Sequence, residues 1–166
     1  MKRILAIFLG VHLVGCDVRD THAAPKLSDE VTERIRADNP GMKDACLQKA
    51  RRGGIEAMPA ELEQCFGMTP MRRWRGLWRN DFEGSRFCPP PAQECSYDTP
   101  GDRVWLSVWA KLPEDIRQGR FGDLYAVDFV GRRTVHSGRY GHMGMSDHEM
   151  VVDRLISIER VPEAEE

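Results

Sequence analysis

Residues 136–153, HSGRYGHMGMSDHEMVVD, hold the densest set of groups able to do chemistry: His136, His142, Asp147, His148, Glu149 and Asp153. Imidazole with carboxylate can ligate a metal or act as a general acid–base pair, and Gly138, Gly141 and Gly144 would let backbone approach a bound molecule. The spacing argues against a metal centre. H-x5-H-E lacks the i, i+4 helical geometry of a zinc-protease helix, and this density of glycine opposes a helix here. Ser146-Asp147-His148 contains the residue types of a hydrolase triad, but neighbours on an extended chain point apart, whereas triad members converge from separate segments. Ser85 and Ser137 stand in no nucleophile-elbow motif. The segment therefore reads first as a long hairpin loop whose polar groups satisfy its own backbone. The competing reading is a hydrolase or metal-binding enzyme working from the 142–149 loop.

A second concentration is RRWRGLWRN, residues 72–80, in which arginine and tryptophan interleave. Guanidinium and indole groups suit phosphate, carboxylate or glycan ligands through bidentate hydrogen bonds and stacking. Arg73, Trp74, Arg75 and Trp78, with His142 and His148, are thus the candidate ligand-binding residues, and Arg132, Arg133 and Arg139 would join them if the strands are neighbours. Alternation also predicts a plainer outcome, with Trp74, Gly76 and Trp78 facing a core and Arg73, Arg75, Leu77 and Arg79 facing outward.

The elements that must position these groups follow from local pattern. Ser28 caps a helix that carries Asp29 and Glu30 in its first turn and Val31 and Ile35 on one face, and Asn39-Pro40-Gly41 ends it. A second short helix places Ala45, Cys46 and Ala50 on one side, with Lys49, Arg51 and Arg52 late and Gly53-Gly54 beyond. A third has Pro59 in its first turn, Leu62, Cys65 and Phe66 on one face, and Gly67 as its stop. From residue 71 the rhythm becomes alternating. RRWRGLWRN, FEGSRFC after an Asn80-Asp81 turn, RVWLSVWAK, DLYAVDFVGRRTV and EMVVDRLISIERV read as strands. The last of these sets Val152, Ile156 and Ile158 against Val151, Asp153 and Leu155, and Gly131 marks a bulge. CPPPAQEC is a loop, because proline offers no backbone donor. The expected fold class is α+β: an N-terminal short-helix hairpin, then a small antiparallel β-sheet or partly closed barrel of about five strands.

The 166 residues carry a formal charge of −2, with 41% hydrophobic and 30% charged. That composition is globular, and the charge provides no general pull toward nucleic acid or anionic lipid. No nucleic-acid partner, cofactor or metal is expected.

The first residues are of another kind. Lys2 and Arg3 precede an apolar run, residues 4–14, that is interrupted by His12 and is shorter than the ~20 residues a membrane-spanning helix needs. It reads as a secretory signal. Leu13, Val14, Gly15 and Cys16 resemble the lipobox of bacterial lipoprotein precursors. The resemblance implies removal of residues 1–15, a diacylglyceryl group on the Cys16 thiol and acylation of the new amino terminus. It also implies a domain held in the cell envelope, facing the periplasm, with inner or outer membrane left open. One acyl chain anchors only marginally, at ~0.8 kcal/mol per buried methylene, so two or three are needed for stable attachment. Residues 16–27 then become the lipidated cysteine and a flexible tether, 28–160 a single domain (28–67 helical, 71–160 mainly β), and 161–166 an acidic tail.

With Cys16 acylated, Cys46, Cys65, Cys88 and Cys95 form an even set in a compartment where disulfides persist. The segments favour local pairing, Cys46 with Cys65 and Cys88 with Cys95. A four-thiolate metal site fails on spacing, since C-x18-C and C-x6-C lack the close cysteine pairs of zinc sites. The expected role is a lipid-anchored envelope protein with a non-catalytic binding or structural function toward an envelope protein or polymer. The alternatives are the enzyme above, as an envelope hydrolase, and an inhibitor of an envelope-directed hydrolase.

Overall fold

Ser28 caps α1 (Asp29–Asp38) as its side chain requires, its hydroxyl oxygen accepting the Val31 N–H at 3.2 Å, and Asn39 closes the helix. The computed structural model describes residues 26–117 and 120–162; the signal, Cys16, the tether through residue 25 and residues 163–166 of the tail lie outside the described residues. The face expected to be apolar on α1 is corrected: Val31 is exposed, and the buried residue is Thr32. Its hydroxyl donates to the Ser28 carbonyl at 2.8 Å, which removes the cost of burying it. α2 (Asp44–Gly53) buries Cys46, Leu47 and Ala50, and Gly54 ends it at a φ of 77°.

The third helix is shorter than its pattern suggested. A 3-10 turn at Ile55–Ala57 precedes the single-turn α3 (Leu62–Cys65). Met58 is extended, as a residue before proline tends to be, and so is Glu61, so Pro59 lies ahead of α3 rather than in its first turn. Cys46 and Cys65 are joined by a disulfide that staples α3 to α2. Beside it Phe66 meets Tyr140 edge to face at 5.0 Å, tying the helical hairpin to a loop of the sheet. No helix among the described residues is long and apolar enough to cross a membrane.

Five strands form a closed barrel: β1 (Arg72–Asp81), β2 (Gly84–Cys88), β3 (Val104–Ser107), β4 (Asp123–Arg133) and β5 (His148–Arg160). The expected α+β architecture is the one observed. β1, β2 and β3 form a meander, and β4 returns past the short α4 (Glu114–Arg117) to lie beside β1, a Greek key. β5 closes the ring between β4 and β3, antiparallel to the first and parallel to the second. One parallel contact is unavoidable, because alternating directions cannot close around an odd number of strands. The turn between β1 and β2 falls at Phe82-Glu83 rather than at Asn80-Asp81, which remain paired in the ladder.

Alternation places Trp78, Phe87, Leu106, Tyr125, Phe129 and Met150 in the barrel interior. β5 does not keep one phase. Its register against β4 slips between Asp128 and Phe129 and again between Val130 and Gly131, which makes Ile156 and Asp153 the extra residues of two bulges. The inward set is therefore Met150, Val152, Leu155 and Ile158, and Ile156 is exposed, a correction to the faces read from strict alternation. Gly131 does lie at a bulge: a Cβ there would come within 2.4 Å of the Val151 carbonyl.

Candidate functional site

β2 and β3 pair only at Arg86 with Trp105 and Phe87 with Val104. Beyond that point a side chain replaces the backbone ladder: the Ser85 hydroxyl donates to the Leu106 carbonyl at 2.6 Å and accepts the Trp78 indole N–H at 2.9 Å. A cleft of about 410 Å³ opens where the strands part. Trp78, Leu106 and Val108 form its apolar base, Trp105 and Phe121 stand beside it, and Asp81 and Glu83 give its rim an acidic character. Phe82, on the β1–β2 turn, packs edge to face with Phe121 at 5.6 Å, although the two are 71% and 61% exposed. Large aromatic surface left in water around a concavity is a mark of an interaction site.

The 136–147 loop does not line the cleft but packs on two residues that do, Trp105 and Glu83. Arg103 at the start of β3 holds Asp147 through both carboxylate oxygens, at 2.8 and 3.1 Å, and backbone bonds between Tyr140 and Ser146 close the loop on itself. Gly141, at a φ of +67°, lies against the Trp105 indole so closely that a Cβ would sit 2.5 Å from the ring. Only glycine allows both the conformation and the approach. His142 reaches across to Glu83 at 3.3 Å, linking the loop to the β1–β2 turn.

Behind Trp105 lies Glu149 of β5, which accepts the Ser107 hydroxyl at 2.5 Å. Burial pushes its carboxyl above the ordinary glutamate range, and the bonds from Ser107 and the Gly141 backbone offset that only in part. A carboxyl whose folded pKa is raised adds stability below its unfolded pKa and loses it as pH rises through the folded value. Glu149→Gln is therefore expected to remove a decline in urea midpoint that the parent chain shows as pH climbs from about 4.5 toward neutrality, the ordinary glutamate value being 4.5. Midpoints that run parallel in both proteins across that range would contradict the assignment. Asp81 at the cleft is also raised by burial, against the opposing charge of Arg79.

The residues singled out by type are separated by the fold. His148 is buried, its Nδ1 within 3.1 Å of the Thr134 hydroxyl and carbonyl, and burial together with Arg133 lowers its pKa. His136 packs at Gly41, and no group of three or more potential metal ligands occurs among the described residues. Asp147 is engaged by Arg103 and His148 by Thr134, so Ser146-Asp147-His148 does not assemble. Trp78 lies buried beneath the cleft, whereas Trp74 lies half-buried at the opposite end of β1 with the Arg72 guanidinium 3.6 Å over its ring. Arg73 and Arg75 share Asp128 on the outer face and hold its carboxyl down to about 2, chiefly through the Arg73 hydrogen bond. β1 and β4 are neighbours, but Arg132 turns to Asp153, Arg133 to Asp102 and Arg139 to Asp38, so the arginines do not converge on one ligand site.

Sequence reasoning missed Ser85, Trp105, Ser107, Phe82 and Phe121 as a group. The visible signals were an aromatic at a hairpin tip and a tryptophan on the outward phase of a strand. Comparison with protein-family models, with curated proteins and with solved structures finds no match to this chain.

Proposed function

We propose that this chain is a lipid-anchored cell-envelope protein whose barrel binds a ligand in the cleft between β2 and β3. The observation that carries the binding reading is the exposed Phe82–Phe121 pair at a cleft lined by the half-buried Trp105. Such a surface takes an apolar or aromatic group, and the carboxylates of Asp81 and Glu83 favour a neighbouring cation over a phosphate. A side chain or cationic segment of an envelope component fits, and a nucleic acid does not. Five-stranded Greek-key barrels of the OB type carry ligands on the β2–β3 face and on the β1–β2 and β4–β5 loops, and this cleft lies at the first two of these places. That is a likeness of architecture and adds weight only to the position. Cys16 supplies the anchor, and residues 17–27 the reach.

The test uses the full chain in a bacterial host with a photoreactive phenylalanine analogue at Phe121 or, outside the cleft, at Arg154. Irradiation is expected to give a discrete adduct from position 121 alone, in the membrane fraction, and Cys16→Ser is expected to yield an unlipidated chain that leaves that fraction. Equal adducts from both positions would refute the cleft. The same lipid-labelled protein recovered from the Cys16→Ser chain would refute the anchor.

A further inference from the structure

A second cavity, about 380 Å³, lies under the loop that the Cys88–Cys95 disulfide closes, away from the cleft. Much of its lining is apolar, with Phe87, Pro89, Pro91, Pro100 and Val104. Two guanidinium groups join that lining, Arg86 from β2 and Arg133 from the end of β4. Arg86 is 7% exposed and hydrogen-bonds no carboxylate among the described residues: it donates to the Thr99 carbonyl at 2.7 Å and to the Tyr97 carbonyl at 3.4 Å. Its Nε has no hydrogen-bond partner among the described residues, and neither has the Nε of Arg133, both atoms being buried. Asp102, exposed at the same cavity, pairs with Arg133 at 3.1 Å and lies 3.7 Å from His148, so the carboxylate in the lining is engaged on the Arg133 side. Buried charges are ordinarily paired, because an unpaired one forfeits hydration without compensation. Burial and the nearby Arg103 charge depress the Arg86 pKa, against the opposing charges of Asp147 and Asp98.

We propose that this cavity binds a small organic monocarboxylate, its apolar body against the prolines and its carboxylate on the Arg86–Arg133 side. The two buried Nε–H groups, without a hydrogen-bond partner among the described residues, leave donors for one anion, and a planar carboxylate suits guanidinium donors. The size and apolar walls favour a body of phenyl or short-alkyl dimensions over a bare inorganic anion.

Titration of the disulfide-intact chain with 3-phenylpropanoate, followed by calorimetry and by amide chemical shifts, tests this. Saturable binding is expected, with shifts at Gly101, Thr99 and Val104, and the uncharged 3-phenylpropanamide is expected to bind at least about tenfold more weakly, as loss of a charged hydrogen-bonded pair implies. Arg133→Gln should weaken the acid by about the same factor while leaving amide binding unchanged. Arg133 is the decisive site because it is partly exposed, whereas Arg86→Gln disturbs the loop carbonyls it holds. Equal binding of acid and amide, tighter binding of inorganic phosphate, an unaffected Arg133→Gln protein, or no response at about 10 mM acid, where a millimolar Kd still registers, would each overturn the proposal.

Discussion

Trp78→Ala is expected to lower the unfolding free energy by about 3–5 kcal/mol, the usual loss when a large aromatic is removed from a packed interior. Trp78 is 1% exposed and stacks on Tyr125 with ring centroids 5.2 Å apart, so little surrounding structure is free to collapse into the space. The substitution also removes the donor to Ser85, the side chain that holds β2 to β3 where their ladder has ended. Trp78→Phe separates these contributions. It keeps most of the ring volume and loses the indole N–H, so a smaller loss of about 1 kcal/mol is expected from the hydrogen bond, plus the unfilled volume. Urea titration followed by circular dichroism, with unchanged m, measures both. A Trp78→Ala loss below about 1 kcal/mol would mean that the packing around this residue adjusts far more freely than a rigid barrel interior allows.

Paired replacement of Cys46 and Cys65 by serine is expected to cost about 3 kcal/mol from loop closure across 19 residues, and to lower Tm by roughly 10 °C. The helical unit depends on this bridge because its buried cluster is small: Cys46, Cys65, Phe66 and Tyr140, with Met42, Met58 and Leu62 against them. The effect should travel. Phe66 packs on Tyr140, and the next residue, Gly141, is the one seated on Trp105, so loosening α3 is expected to raise hydrogen exchange in the 138–146 loop as well as in the helices. The Cys88–Cys95 bridge closes a loop of separation 7 and should contribute less, about 2.5 kcal/mol. A Cys46/Cys65 double variant with Tm lowered by under about 3 °C would show that packing alone holds the hairpin.

Much of the framework was legible because it depends on neighbours in the chain. The Ser28 cap, the glycine at the end of α2, the proline loop and the period-2 alternation of β1, β3 and β4 are local preferences, and local cysteine pairing followed from segment assignment. The failures were also local in form but not in cause. Strict alternation along EMVVDRLISIERV gives one face, yet two bulges set by pairing with β4 turn Ile156 outward and Leu155 inward. A four-residue α3 replaced a longer expectation because Glu61 before it and Phe66 after it are both extended. Thr32 took the buried place on α1 because its hydroxyl had a carbonyl to satisfy it, which an amphipathic count does not register.

The candidate site was the least legible part. Histidine and arginine density drew attention to residues 136–153 and 72–79, and the fold assigns most of those groups to separate partners. By itself the sequence determined an α+β order of elements and the residues available to a core, since each rests on composition, spacing or one turn of chain. Tertiary structure alone decided that five strands close into a ring with one parallel contact, that β2 and β3 part after two pairs, and that Arg86 is buried without a carboxylate hydrogen bond. These depend on register between segments tens of residues apart, where one step of slip moves every side chain to the other face.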